Sequence, residues 1–83
     1  MSEDINNNEC KLTLAINESM DDYFTHLEGE PPRAIYDMVL ACVEKPLIEY
    51  ILNKVGGNQS KAAEMLGLNR NTLRKKMAEY GLG

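Results

Sequence analysis

The stretch GNQSKAAEMLGLNRNTLRKK, residues 57–76, contains the clearest structural pattern of this chain. Two segments with apolar residues at helical spacing flank the tripeptide Gly67-Leu68-Asn69. A turn of three or four residues that contains glycine is typical of a helix-turn-helix. Because Gly67 can adopt the positive φ of a sharp helix exit, the stretch predicts two short helices that meet at an angle.

Residue types mark the ends of these two helices. Asn58 and Asn69 have side chains that accept orphan backbone N–H groups at helix N-termini. The sequence therefore predicts one helix over residues 59–66 and a last helix over residues 70–80. A small core should form from apolar residues of both helices and the turn, namely Ala62, Ala63, Leu66, Leu68, Leu73 and Met77.

The last helix carries a polar and cationic face. At about 100° per residue, an inward face of Leu73 and Met77 leaves one set of residues outward, namely Asn71, Thr72, Arg74, Lys75 and Ala78, with Arg70 on the flank of the first turn. The N-terminal part of a recognition helix enters the major groove of DNA. Arg70 is suited to a bidentate guanine contact, and Asn69 or Asn71 to adenine or a phosphate.

Phosphate contacts are expected at both short helices. On the last helix the candidates are Thr72, Arg74, Lys75 and Lys76, and at the start of the preceding helix they are Asn58, Gln59 and Ser60. Simpler interpretations stay open for some of them. Lys76 alone is better explained as a solvated cation. For Asn58 and Asn69, a role as helix cap only and a role as cap and DNA contact are equally open.

Charge is divided unevenly along the chain. Residues 1–53 contain three Lys/Arg and eleven Asp/Glu, a net charge of −8, whereas residues 54–83 contain six Lys/Arg and two Asp/Glu, a net charge of +4. The total of −4 alone would argue against a nucleic-acid partner. A basic end on an acidic body favours one.

A first long helix is predicted upstream. Residues 1–11 lack periodicity and are expected to form a flexible N-terminal arm. From Leu12 to Leu27 apolar residues recur every three or four positions, as on one face of an α-helix. Gly29 is expected as its C-cap, and Pro32 as the first residue of the next helix.

The second long helix is predicted from about Arg33 to Val55. Pro46 lies inside it and should kink the axis rather than end the helix. Apolar residues cover most sides of the helix, which is more than so short a chain can bury by itself. Residues 12–55 are therefore predicted to form a homodimerisation region, and residues 56–83 the DNA-binding region.

Enzymatic and metal chemistry have no basis in this sequence. His26 is the single histidine, and Cys10 and Cys42 lack metal-ligand spacing and are expected to be free thiols of a reducing cytosol. No catalytic constellation or phosphate-binding glycine loop is present, so no enzyme and no cofactor are expected. A secretion signal and an apolar run long enough for a membrane span are also missing, and we expect a cytoplasmic location.

The stretch GNQSKAAEMLGLNRNTLRKKMAEYGL, residues 57–82, resembles the C-terminal helix-turn-helix of the Fis family of bacterial nucleoid-associated DNA-binding proteins. The resemblance extends upstream through YF at 23–24 and IYDMVLACVEKPLIEYIL at 35–52, and covers residues 12–83. It implies an all-α fold with four helices per subunit, in which an intertwined homodimer core of two long helices carries the helix-turn-helix. It also implies a protein that binds and bends duplex DNA with loose sequence preference in the nucleoid and regulates transcription.

The resemblance also implies a set of DNA-contacting residues, namely Asn58, Ser60, Asn69, Arg70, Thr72, Arg74 and Lys75. RNA polymerase is a candidate further partner. Two departures from the family pattern matter. Ala78 and Glu79 stand where many members carry basic residues, which points to lower affinity. The eleven residues before Leu12 are few for the β-hairpin arm that touches recombinases in some members, which weighs against inversion stimulation.

Two other interpretations remain open at this point. The same segment is similar to the DNA-binding tail of NtrC-type enhancer-binding activators, in which it follows an ATPase domain. Because the chain begins with methionine and contains no ATPase domain, we expect a free-standing protein instead. A third interpretation, from another class, is a dimeric protein–protein adaptor without a role on DNA, which would leave the arrangement of residues 69–76 unexplained.

Overall fold

The computed structural model describes the backbone of residues 3–83 and the side chains from Lys11 onwards. Over these residues the chain has no strand and four helices: α1 (Glu3–Thr25), α2 (Ile35–Lys54), α3 (Gln59–Leu66) and α4 (Arg70–Glu79). The prediction of an all-α fold is confirmed. None of these helices is long and apolar enough to cross a membrane. The chain divides into two compact units, Met1–Arg33 and Ala34–Gly83.

Helix α1 begins nine residues before the predicted start at Leu12 and ends before the predicted C-cap. Residues 3–11 contain neither glycine nor proline, so nothing in them prevents the helix from starting early. At the other end, the helix stops at Thr25 and Gly29 lies in the following loop with φ of 85°. Both predicted ends were wrong, because hydrophobic periodicity locates the face of a helix that packs and not its ends. The flexibility expected for residues 1–11 stays a prediction.

Helix α2 begins at Ile35, so the prediction that Pro32 opens it was wrong. Ala34 has φ of 48°, in the left-handed region, and therefore interrupts any right-handed helix that Pro32 could start. The carbonyl oxygen of Ala34 nevertheless accepts the first bond of the helix, from the N–H of Met38 at 3.0 Å. Pro46 lies inside the helix as predicted.

Helices α3 and α4 form the predicted helix-turn-helix. The bounds of α3 are those predicted, and α4 ends one residue early, at Glu79. Gly67 has φ of 76°, and across it the N–H of Leu68 donates to the carbonyl oxygen of Ala63 at 2.9 Å. This bond closes a Schellman motif, which satisfies carbonyl groups that the helix end would leave unpaired.

The core of the second unit lies where α2, α3 and α4 meet. Its buried side chains are Ile48, Ala62, Ala63, Leu73 and Met77, and further apolar residues pack around them, namely Ile51, Leu52, Val55, Leu66, Leu68, Tyr80 and Leu82. The predicted residues of the small core are all included. The structure adds the contribution of α2, in which Ile48 is 2% exposed. Helix α2 is therefore the support on which the helix-turn-helix is built.

Candidate nucleic-acid interface

Asparagine side chains start both helices of the motif. The Asn58 side chain accepts a hydrogen bond from the N–H of Lys61 at 3.1 Å. In α4, the Asn69 side chain accepts one from the N–H of Asn71 at 2.8 Å. The prediction that both residues are N-caps is confirmed. Each cap uses the Oδ1 atom of the asparagine side chain as an acceptor. The NH₂ group of the same side chain therefore stays available as a donor.

The inward and outward faces of α4 are those that the spacing predicts. Leu73 and Met77 are buried. Exposed positions include every candidate DNA-contacting residue, namely Asn58, Ser60, Asn69, Arg70, Thr72, Arg74 and Lys75. Arg70 is the first residue of α4, where a recognition helix presents its base-reading groups.

The start of α3 and the exposed side of α4 lie beside each other. An open groove of about 520 Å³ is lined by Gln59 from α3 and by Arg74 and Ala78 from α4. Gln59 and Arg74, two of the candidate phosphate contacts, therefore border one groove. The exposed candidate residues of α3 and α4 are together called the polar surface.

Lys76 does not belong to this surface. Its Nζ atom donates to both carboxylate oxygens of Glu44 on α2, at 2.9 Å to Oε2 and 3.1 Å to Oε1. The phenolic O–H of Tyr80 donates to Oε1 of the same carboxylate at 2.6 Å. The expectation that Lys76 is a solvated cation was wrong, because it forms a partly buried ion pair within the chain.

The three side chains shift one another's pKa values in the direction that strengthens the cluster. Hydrogen bonds from Tyr80 and then from Lys76 lower the pKa of Glu44. The hydrogen bond to Glu44 raises the pKa of Lys76 and that of Tyr80, the latter to about 12. At neutral pH the carboxylate and the ammonium are therefore charged and the phenol is neutral, as the hydrogen bonds require.

Sequence reasoning did not find Glu44. The available signal was the spacing of Lys76 and Tyr80, which lie four residues apart and therefore on one side of α4. Both point toward the helix on which α4 packs, and a carboxylate on that helix is the complementary partner. The identity of that partner depends on how α2 meets α4, over a separation of 32 residues between Glu44 and Lys76.

Comparison with known proteins identifies the family. A family model described as bacterial regulatory protein, Fis family, matches residues 39–80. A relative from Pseudomonas aeruginosa is 53% identical over 71 residues, which are 86% of this chain and 68% of the relative. A relative from Neisseria meningitidis is 52% identical and one from Ralstonia nicotianae is 51% identical. Each match covers 86% of this chain, and it covers 90% of the Neisseria relative and 92% of the Ralstonia relative. All three are provisionally named Fis-like DNA-binding proteins. The residues that the family model matches include the helix-turn-helix, and the chain belongs to the Fis family.

Proposed function

We propose that the chain forms a homodimer that binds and bends duplex DNA with loose sequence preference, and that it acts in nucleoid organisation and transcription regulation. The observation that carries this proposal is the outward face of α4 and the adjoining start of α3. All seven candidate contact residues are exposed there, while the buried Leu73 and Met77 hold the helix from behind.

The proposed roles follow from side-chain chemistry and position. Arg70, at the first turn of α4, reads a guanine edge, because its planar fork matches two acceptors of that base. Asn69 reads adenine or a phosphate with the amide group that its cap leaves available. Phosphates are contacted by the exposed hydroxyl, amide and cationic groups of α4 and the start of α3, namely Asn58, Ser60, Thr72, Arg74 and Lys75.

Exposed apolar side chains support the proposed homodimerisation through residues 12–55. In the single chain, large apolar residues of α1 and α2 are between 40% and 75% exposed, namely Leu12, Leu14, Ile16, Phe24, Tyr36, Val43, Leu47 and Tyr50. Contiguous exposed apolar surface marks protein–protein interaction sites, and Val43, Leu47 and Tyr50 recur at helical spacing along α2. A second copy of the chain is the proposed cover, and sedimentation showing a folded monomer at micromolar concentration would overturn this part.

The distribution of charge supports a particular way of meeting DNA. Residues 54–83 carry a net charge of +4 and residues 1–53 a net charge of −8. An acidic body is repelled by phosphates, so the duplex should contact the proposed DNA-binding region, residues 56–83, of each subunit. The surface that contacts DNA is therefore confined to that region of each subunit. We propose no contact with recombinases.

The length of the relatives supports a free-standing regulator over the tail of a larger activator. The relatives from Neisseria and Ralstonia are covered over 90% and 92% of their lengths, so these matched proteins are themselves small. A location in the cytoplasm, at the nucleoid, is proposed on the same ground as DNA binding. RNA polymerase remains a proposed further partner.

The test is binding to AT-rich and random duplexes over a series of salt concentrations. If Arg70, Arg74, Lys75 and one further group act in each subunit, a dimer neutralises on the order of eight phosphates, and log K should fall with log[salt] at a slope near −7. A slope shallower than about −2 would show that the cationic face of α4 is merely solvated. The adaptor interpretation would then be preferred.

A further inference from the structure

We propose that Glu44 is a positioning residue for DNA binding, because its carboxylate fixes the orientation of α4 through Lys76 and Tyr80. Glu44 itself lies on α2 and outside the polar surface of the candidate interface. This inference rests on the proposed DNA-binding function and deepens it. Glu44 does not contact DNA itself, but it aligns the residues of α4 that read the bases.

The cluster restrains α4 in a way that its apolar core contacts do not. Burial of Leu73 and Met77 holds the helix against its neighbours, but the hydrophobic effect has no direction. Hydrogen bonds weaken steeply when their angles are poor, so three bonds to one carboxylate resist rotation and sliding of the helix. Lys76 and Tyr80 lie about one turn apart, which gives the carboxylate two points of attachment along the helix axis.

The attachment points lie at the end of α4 remote from its base-reading residues. Arg70 begins the helix, and Lys76 and Tyr80 follow six and ten residues later. Over that length, at about 1.5 Å per residue, a change in helix direction becomes a displacement of the first turn. Contacts to base edges need bidentate geometry, whereas long cationic side chains follow phosphates more freely.

The cluster also withholds one cation from DNA. Lys76 donates to both oxygens of Glu44, so its charge is matched within the chain. Replacing Glu44 by glutamine removes the negative charge and leaves the ammonium without its ionic partner. The electrostatic attraction to any duplex should then increase. At the same time, the alignment of α4 that favours a particular sequence is lost. The ratio of specific to random affinity is therefore the most sensitive readout.

The experiment measures that ratio for the wild-type protein and three full-length variants, Glu44→Gln, Tyr80→Phe and Glu49→Gln. The specific probe is a duplex that the wild-type protein enriches from a random library, and the other probe is a random duplex of the same length. Glu49→Gln is the matched control, since it removes one exposed negative charge from the same helix. Circular dichroism establishes that each variant is folded at the assay temperature.

We expect Glu44→Gln to lower the ratio by roughly 3- to 30-fold, the range over which residues without ligand contact alter binding elsewhere. Tyr80→Phe, which removes one hydrogen bond, should lower it by less, and Glu49→Gln should leave it within about twofold. An unchanged ratio in folded Glu44→Gln would overturn the inference, as would an equal decrease in Glu49→Gln. If Glu44→Gln does not fold, the ratio measured for Tyr80→Phe tests the inference instead, and an unchanged ratio there would overturn it. Failure of the wild-type protein to bind either probe would instead overturn the proposed function.

Discussion

Tyr80, the residue that follows α4, donates its phenolic hydrogen to Oε1 of Glu44 on α2 over 2.6 Å. The two residues are 36 positions apart in the sequence, and the same oxygen also accepts from Lys76. One carboxylate thus connects the proposed dimerisation helix to the proposed recognition helix. The bond has direct consequences for stability as a function of pH.

The cluster should contribute stability over a defined pH window. The pKa of Glu44 is lowered from 4.5, so its contribution is present above that value and is lost as pH falls through the folded-state pKa. The pKa of Tyr80 is raised from 10.0 to about 12 and that of Lys76 is raised from 10.5, so their contributions are lost as pH rises above about 10. The negative charge of Glu79 also raises the pKa of Lys76 and that of Tyr80.

Glu44→Gln should therefore lower the Tm at pH 7 and reduce the further decrease of Tm below pH 4.5. The reason is that glutamine does not titrate and cannot form the ion pair. Thermal unfolding followed by circular dichroism between pH 3 and 7 measures the difference between variant and wild type. Glu49→Gln corrects for the other acidic residues of the chain, and a difference that stays constant from pH 3 to 7 would contradict the role of Glu44.

Arg70→Ala should nearly abolish specific DNA binding while sparing much of the binding to random DNA. A bidentate guanine contact discriminates by about 1–3 kcal/mol, and the substitution removes one such contact from each subunit of a homodimer. Lys75→Ala is the comparison, since removal of a cation that binds phosphate should weaken both kinds of binding alike. If Arg70→Ala lowers the two affinities equally in titrations, Arg70 contacts a phosphate and not a base.

Lys75 and Lys76 should differ on DNA although they are adjacent. Lys75 is exposed, whereas Lys76 is paired with Glu44. Lys75→Gln should make the dependence of log K on log[salt] shallower by about 0.9 for each phosphate that the variant no longer neutralises. Lys76→Gln should leave the slope unchanged. Equal changes in slope would show that Lys76 leaves Glu44 when DNA binds.

Leu73→Ala should destabilise the chain far more than Met65→Ala. Leu73 is fully buried between the helices, and truncation of such a residue costs about 2–5 kcal/mol of unfolding free energy. Met65 is 55% exposed on α3, so its truncation should cost about 0.5 kcal/mol or less. Urea denaturation measures both, and similar midpoints for the two variants would contradict the assigned core.

The helix-turn-helix could be predicted closely because its signals are local. Asn58 and Asn69 cap helices that begin one residue later, and Gly67 provides the left-handed residue of the turn. Each signal acts within a few residues of the backbone it shapes. The outward face of α4 followed from the burial of Leu73 and Met77, since a regular helix fixes the direction of every other side chain.

Features that depend on distant parts of the chain could not be predicted in this way. The left-handed conformation of Ala34 has no residue-type signal, because alanine disfavours it. The early start of α1 lies in a polar segment where periodicity gives no information. Glu44 is one of eleven acidic residues among residues 1–53, and nothing local distinguishes it from the others. Its role depends on the packing of α2 against α4.

The glycine-terminated ends of α2, α3 and α4 also bear on how the chain folds. Each of these helices ends with an N–H group that bonds a carbonyl five residues earlier: Gly57 to Leu52, Leu68 to Ala63 and Leu82 to Met77. The connections from α2 to α3 and from α3 to α4 are therefore very short. Bringing these helices together requires little loop-closure entropy. Chains with such low contact order fold in microseconds to milliseconds. Refolding of residues 34–83 within the full chain should show a phase of that speed, independent of protein concentration, before any slower association of subunits. Temperature-jump relaxation followed by tyrosine fluorescence would detect it, and a first phase lasting seconds would contradict this.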